Sequence, residues 1–521
     1  GGPPKAPCPK YHLLPHDSSP LRSNLFPTLF YHLSLPAFTF FSIKMTRFFT
    51  PLLFLLAAST LNAQQFIDAS AQLPNDGASQ QSMDIRAADL DNDGDLDIVL
   101  ANEGQPNSLL FNDGNGNFAT APAGVLPARN QDSEDVAIAD FNGDGWLDLV
   151  FCSEDDIVLG EQDVHEYYLG SAEGQFIAVS GALLDSEANA VITADINNDG
   201  WPDLLFGNDG PTTLLLNDQT GSFIVDQERV PAVNRTTQDL LLVDLTGDGH
   251  PDLIEGNENG NRYFINDGSG FFTDETVDRL PSLIGLETRK LVAGDIDGDD
   301  DLDLFLCNVA FLPGRNPQNR LWINDGEGRF TDATAAQLPV DQDHSLDALL
   351  MDMDGDQDLD IFVANIAGAP QKVYRNDGTG NFTIATTEIL GENYIREGLG
   401  LFAADFNGDD LTDIYLCDRK IPSTTFKDLL LLRTSVNTAS TIENPVSWTI
   451  HPNPVHDSIF VRGTILEKPL VMIMDTQGKA VGELNLNQVN THEYSAPWPA
   501  HLPQGTYFVT IDGQSRKVIK V

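Results

Sequence analysis

The sequence predicts an all-β fold: seven four-stranded antiparallel blades closed into a ring, then a small β-sandwich. Three observations carry this expectation. A nine-residue acidic loop recurs seven times at steps of 49 to 57 residues, room for four short strands and their turns. A glycine-rich hairpin signature follows it in the first six repeats. The strand that the seventh repeat lacks stands at the N-terminal end of the array.

Taken in order, residues 1–44 begin Gly-Gly-Pro-Pro, contain no Met and show no repeat, so they are read as upstream sequence without a role in the mature protein. Residues 45–63 open with Met-Thr-Arg47, run through apolar Phe48 to Ala58 and end in small residues. That is the form of a secretory signal peptide. Its apolar run of about 11 residues is too short to span a bilayer, and no transmembrane span is expected in the mature protein.

Residues 64–433 carry the repeats. The loops begin at Asp89, Asp140, Asp195, Asp244, Asp295, Asp352 and Asp405. Each lies between short apolar runs such as Val136–Ala139 and Leu149–Phe151, strand-like in length and flanks. The second signature reads Asn112-Asp-Gly-Asn-Gly-Asn-Phe118 in repeat one and Asn376-Asp-Gly-Thr-Gly-Asn-Phe382 in repeat six. Its fifth-place glycine suits a positive-φ turn between strands three and four. An open solenoid of the same units would need capping ends. The termini favour closure instead: Phe66-Ile-Asp-Ala-Ser-Ala-Gln-Leu-Pro74 matches Phe330–Pro339 apart from one inserted residue. The N-terminal strand is expected to complete the last blade of a seven-bladed β-propeller and to remove an exposed edge.

Residues 434–446 are rich in Ser, Thr and Asn and read as a linker. Residues 447–521 contain strand-like runs at Ser458–Val461, Leu470–Met474, Tyr507–Ile511 and Lys517–Val521, and read as a β-sandwich.

Composition narrows the function. The chain has 521 residues and a formal charge of −49, with 78 acidic side chains against 29 Lys and Arg. Nucleic acid is excluded as a partner, since phosphate binding needs a basic face. With 41% hydrophobic residues and 29 Phe, the chain is too apolar to be a solvating acidic coil. The four cysteines, Cys8, Cys152, Cys307 and Cys417, form no CxxC pair, so a structural zinc is not expected. Three of them lie four residues beyond the ninth loop place, where other repeats have Ala101, Gly207, Gly256 and Ala364. This reads as a tight packing position occupied by a free thiol, and no disulfide is expected.

The acid is concentrated in the loops. Side-chain oxygens at the first, third, fifth and ninth places, with a glycine at the sixth, form a wrap for a hard cation; the absence of nitrogen or sulfur selects a hard ion, and several flexible carboxylates favour calcium over magnesium. The candidate ligands are Asp89, Asp91, Asp93 and Asp97, with Asp95 beside them; Asp140, Asn142, Asp144 and Asp148; and Asp195, Asn197, Asp199 and Asp203. They continue with Asp244, Thr246, Asp248 and Asp252; Asp295, Asp297, Asp299 and Asp303; Asp352, Asp354, Asp356 and Asp360; and Asp405, Asn407, Asp409 and Asp413. Up to seven structural calcium ions are expected, one per loop. Single Asp-Asn-Gly loops occur as plain turns, but seven in register favour metal. Loops five to seven carry Asp300, Gln357 and Asp410 at the sixth place, which strains the bend and marks the weaker sites.

The loops resemble FG-GAP/VCBS repeats, as in the integrin α-subunit propeller and some fungal lectins. The resemblance covers Phe66 to Arg433 and implies a seven-bladed propeller with calcium loops on one face and ligands engaged elsewhere. The C-terminal unit, with Trp448-Thr-Ile-His-Pro-Asn-Pro-Val-His-Asp457, Asp475-Thr-Gln-Gly-Lys479 and Leu502-Pro-Gln-Gly-Thr-Tyr-Phe-Val509, resembles the sorting domain of type IX secretion in Bacteroidota. That implies contact with the type IX machinery and a secreted or outer-membrane-surface location, although His451 stands where the family commonly has Tyr.

Partner sites are sought opposite the calcium loops. The connections Glu154–Glu166 and Val309–Asn319 are long, and Arg315, Arg320, Lys372, Arg419, Lys420 and Lys427 lie near such connections as candidates to meet an anionic glycan. Local salt bridges are the plainer alternative. Asp84, Asp135, Asp239 and Asp347 stand five places before their loops and, if inward-facing, line the channel mouth, facing water in preference to holding a cation. The expected function is a non-catalytic adhesion module for a glycan or protein ligand at the cell surface. The rivals are a polysaccharide lyase or hydrolase, although no nucleophile elbow or HExxH is present, and a purely structural surface protein.

Overall fold

The computed structural model describes residues 65–74, 81–154, 163–172, 174–282, 285–419 and 428–434, and in the C-terminal part 448–451, 458–463, 471–474, 480–484, 487–490, 493–499, 502–503, 505–511 and 514–520. The expected signal segment, the upstream extension, all of the linker but Thr434, the body of the Glu154–Glu166 connection, Lys420 and Lys427 lie outside the described residues.

Every repeat forms one four-stranded antiparallel ladder. In repeat one the strands are Ser82–Ala88, Asp97–Gln105, Ser108–Asn112 and Phe118–Thr120. The acidic loop is the turn between the first two strands: its ninth residue opens strand two and pairs with the last residue of strand one, as in Ala88↔Asp97 and Ala139↔Asp148. The glycine signature is the turn between strands three and four, with Asn112↔Phe118 and Asn324↔Phe330 across its base. Repeats one and two, and repeats three and four, are also joined by short ladders at Glu103↔Asp132 and Asp209↔Thr236.

The N-terminal strand Phe66–Asp68 pairs with Leu431–Arg433 as the fourth strand of repeat seven. First strands touch in sequence order around a closed cycle, Gly398–Ala404 of repeat seven returning to Ser82–Ala88 of repeat one.

The core is divided accordingly. Seven hydrophobic clusters each span two consecutive repeats, the last joining repeat seven to repeat one through Ile85, Leu100, Phe406 and Leu430. Second strands lie between two neighbours, and Asp148–Ser153 and Asp413–Asp418 are buried at every residue. Fourth strands are short outer edges of two to four residues, a length that limits edge pairing. The second loop residue plugs each junction: Phe141 and Phe406 are 0% and 1% exposed. Phe141 meets Phe223 edge-on at 5.5 Å, and Phe406 meets Phe118 at 5.8 Å. Full burial of such a ring contributes roughly 1.5–3 kcal/mol, which explains why the hairpin signature ends in Phe.

In the C-terminal part, two four-stranded antiparallel sheets share a core of Ile459, Val461, Ile473, Trp498, Tyr507 and Val509. Among the described residues, no helix is long and apolar enough to cross a membrane.

Candidate metal centres

Each acidic loop is held by its own first aspartate. In repeat two, Asp140 Oδ1 accepts the Gly143 N–H at 2.7 Å and Oδ2 accepts the Gly145 N–H at 2.8 Å. Repeats four to seven use the same pair of contacts, from Gly247 and Gly249 through to Gly408 and Asp410. The coil needs left-handed backbone twice. The sixth place has positive φ throughout, including Asp300 at 71°, Gln357 at 79° and Asp410 at 68°, where a Cβ is unfavourable. The fourth place does so as well, through Gly143, Gly298 and Gly408 or through Asn92 and Asn198.

The ninth aspartate serves the backbone. Asp148 Oδ2 accepts the Phe141 N–H at 2.9 Å, and its Oδ1 accepts the Gly170 N–H at 2.9 Å. Asp97, Asp203, Asp303, Asp360 and Asp413 repeat this double contact, tying the loop to the strand-three end. Asp252 is tied in the same manner. All seven are fully buried. Burial pushes Asp97, Asp148, Asp203, Asp303 and Asp413 up to about 6 and Asp360 to about 7. These carboxylates remain acceptors with spare lone pairs, but their first task is structural.

A hard cation fits the remaining oxygens. Oδ1 atoms of Asp89, Asp297 and Asp354 are buried without a hydrogen-bond partner. Oxygens of Asp89, Asp91 and Asp97, of Asp295, Asp297 and Asp299, and of Asp352, Asp354 and Asp356 lie within 4.8 Å of one another. Burial, and then the fifth-place acid, raise Asp91, Asp297 and Asp354 above the usual carboxylate range, the signature of like charges held together. In the mixed loops the third-place amide stands in for a carboxylate, its Oδ1 accepting the fifth-place N–H at 2.9 Å from Asp144 and 3.0 Å from Asp409.

Hairpins lock onto the loop of the preceding repeat. Asn217 Nδ2 donates to the Phe141 carbonyl at 2.8 Å. Asn112, Asn324 and Asn376 donate likewise to Phe406, Leu245 and Ile296. A Cβ added at Gly270 would stand 2.1 Å from the Ile196 carbonyl oxygen, so the fifth hairpin place needs glycine for closeness as well as for φ.

The four channel aspartates do not face water. Asp84, Asp135, Asp239 and Asp347 are 9%, 7%, 6% and 4% exposed. Each sits just beyond a bulge in its first strand. Asp135, Asp239 and Asp347 accept N–H groups of the next repeat, from Val191 at 3.0 Å and from Leu291 and Leu401 at 2.7 Å. Arg86 pairs with Asp84 at 2.7 Å and Asp135 at 2.9 Å, and Lys290 with Asp239 at 3.2 Å. Arg86 and Lys290 are the partners that sequence reasoning missed. Lys290 occupies the place of the aspartates in repeat five, which was the available signal. Because the two acids share one guanidinium, burial leaves Asp135 well above the usual range while Arg86 holds Asp84 below it. Burial pushes Asp347 to about 7. The ring borders a cavity of about 120 Å³ that Glu134, Asn189, Gln238 and Arg289 also line.

Among the described residues, the basic candidates do not share a contact. Arg320 pairs with Asp332 at 3.6 Å, Lys372 with Asp341 and Asp343 at 2.5 and 2.6 Å, Arg419 with Glu103, and Arg315 hydrogen-bonds Asn259. Cys152, Cys307 and Cys417 are buried free thiols. A further acidic group is formed by Asp132, Glu134 and Glu154, of which Glu134 lines the cavity bordered by the four aspartates.

The FG-GAP-like repeat profile matches residues 62–151, 195–255, 244–306, 309–363 and 352–416, and the profile of a secretion system C-terminal sorting domain matches residues 449–521. The human and mouse forms of cartilage acidic protein 1 are each 36% identical, over 119 and 118 residues. These stretches are 22% of this chain and span 17% of the length of those relatives. An Agrocybe aegerita lectin that recognises non-reducing terminal N-acetylglucosamine aligns over 59% of this chain and 80% of its own, with 20% identity and a TM-score of 0.42. The β-propeller domain of Myceliophthora thermophila Cps50 aligns over 69% of this chain and 98% of its own, with 11% identity and a TM-score of 0.41.

Proposed function

Because the chain belongs to the FG-GAP-like repeat family and ends in a secretion sorting domain that directs export to the cell surface or beyond, we propose that it is a calcium-stabilised, seven-bladed, non-catalytic binding module for a glycan or protein ligand. The sorting domain engages the secretion machinery. The observation that carries the calcium reading is the set of buried, partnerless oxygens on Asp89, Asp297 and Asp354, repeated on equivalent loops built from oxygen donors alone. Calcium accepts many flexible carboxylates and amide oxygens, where magnesium demands a tighter octahedron.

The non-catalytic reading is supported by how the buried polar groups are employed. The channel carboxylates are consumed by backbone N–H groups and internal cations. His165 contacts Ser186 Oγ through Nε2 at 2.9 Å, but its Nδ1 accepts the Ser153 N–H. Nε2 therefore carries the proton and cannot act as a base toward that serine.

The test is a glycan array and a reducing-end release assay, both with calcium, beside melting curves with and without EDTA. Binding without turnover and a marked fall of Tm on chelation are expected. Turnover rejects the non-catalytic reading, and an unchanged Tm in excess EDTA rejects structural calcium.

A further inference from the structure

We propose that the cavity where the seven first strands meet, on the side away from the acidic loops, receives the terminal sugar of a neutral glycan. The proposal rests on the binding-module reading and gives that module a site and a ligand class. One residue from every repeat lines the cavity, always the one six places before its acidic loop. Repeats two to five contribute Glu134, Asn189, Gln238 and Arg289, while repeats six, seven and one contribute Leu346, Leu399 and Met83. First strands touch in that order around the ring, so the wall is divided into one polar arc and one apolar arc. Strand one ends at the acidic loop, which places both arcs toward the opposite face.

Part of the polar arc is already committed. Arg289 donates to Gln238 Oε1 at 2.6 Å and pairs with Glu258 and Glu287 at 3.2 and 3.1 Å. Gln238 Nε2 donates to Glu258 at 3.2 Å. Asn189 Nδ2 donates to the Thr237 carbonyl at 3.3 Å. Among the described residues, however, Asn189 Oδ1 accepts no hydrogen bond, and the Glu134 carboxyl takes part in none. Two half-buried polar groups therefore face the cavity with their hydrogen bonds unmade.

Their chemistry selects the occupant. Beneath the arcs, Asp84 and Asp239 are matched by Arg86 and Lys290, and Asp135 and Asp347 accept backbone N–H groups. Burial, and then Glu154, Asp132 and Glu103, push the Glu134 carboxyl well above the usual range, which favours a neutral acid that both donates and accepts. With these charges matched, an ion of either sign gains little there. A hydroxyl group complements both sites, donating to Asn189 Oδ1 and exchanging hydrogen bonds with Glu134. A sugar carries hydroxyls along an edge and C–H groups over a face, and Leu346, Leu399 and Met83 can cover that face. The cavity of about 120 Å³ is the space of about four waters. That admits one edge of a single ring, which selects a chain end over a chain interior.

The test is a glycan array of neutral oligosaccharides beside their uronic-acid and amino-sugar counterparts, on the full chain at fixed calcium, with calorimetry on the best neutral hit. A neutral glycan is expected to bind, with both charged counterparts about tenfold weaker or more. Replacing its free-end sugar should abolish binding, and replacing the next sugar should not. Leu346→Trp, which fills the cavity from the apolar arc, is expected to abolish binding at an unchanged Tm. Asn189→Ala and Glu134→Ala should each weaken it about tenfold, whereas the neutral isostere Glu134→Gln should stay within about twofold. Wild-type affinity in Leu346→Trp or Asn189→Ala, or a charged counterpart that binds as well, overturns the proposal and leaves a glycan-binding module with its site elsewhere. So does a loss in Glu134→Gln as large as in Glu134→Ala, or dependence on an inner sugar. Silence across the array overturns the glycan reading and the proposal together.

Discussion

Replacing Arg86 by methionine removes the one cation shared by Asp84 and Asp135 while keeping most of the side-chain volume. The guanidinium lies 2.7 and 2.9 Å from the two carboxylates, whose side chains are 12% and 10% exposed, and it donates to the Ile85 carbonyl at 2.8 Å. Breaking a buried pair from one side costs about 3–5 kcal/mol, because the remaining charge cannot reach water. Two carboxylates are stranded here, so the upper part of that range is expected. The midpoint of urea unfolding, at fixed calcium, measures it. The loss has a pH signature. Without Arg86, both acids have folded pKa values above their unfolded ones, so the folded state binds more protons and stability falls as pH rises from about 4 through the folded values. Arg86→Met is therefore nearer to wild type at pH 5 than at pH 7.5. Asp135→Asn added to Arg86→Met restores part of the loss. A variant as stable as wild type at pH 7.5, or a loss identical at both pH values, would refute the reasoning.

His165 is buried against Phe206 at 4.8 Å, and burial pushes it down to about 4. Its folded value lies below the unfolded one, so the stability it supports is lost as pH falls from about 6.5 to 4, by about 3 kcal/mol in all; wild type should lose that much more than His165→Gln over this window in pH-dependent unfolding. Asn217→Ala deletes donors to Phe141 and Pro202 and the acceptor for Gln219, and with a buried carbonyl left unpaired it should cost about 3 kcal/mol, whereas Asn217→Asp keeps the acceptor and loses less. Asp410→Gly relieves a φ of 68° and should raise stability by about 1 kcal/mol, read as a higher urea midpoint.

Much of this was legible because the chain repeats. Seven copies of one loop fix where strands one and two end, and the match of Phe66–Pro74 to Phe330–Pro339 identifies the strand that completes repeat seven. The positive φ at Asp300, Gln357 and Asp410 followed from a missing glycine. What escaped was long-range pairing. Nothing near Asp135 in sequence reveals that Arg86, 49 positions earlier, will hold it, or that a bulge turns these aspartates toward the next strand. The ninth aspartate fits the ligand pattern, but its second duty, accepting two backbone N–H groups, is invisible in composition. Clustering of the basic residues was inferred from nearby connections, but side-chain reach pairs each described one with its own partner.

The strand that completes repeat seven sets an order of events in time. Gln65 and Thr434, which bond across that seam, are 369 positions apart. At about 5–20 residues per second, the first of these residues waits on the order of 20 to 70 seconds for its counterpart to be made. Until then, the strand Phe66–Asp68 has no ladder partner, since it pairs with Leu431–Arg433. The step of highest contact order is the last one available, so this chain folds slowly at its end, whatever the speed of its hairpins.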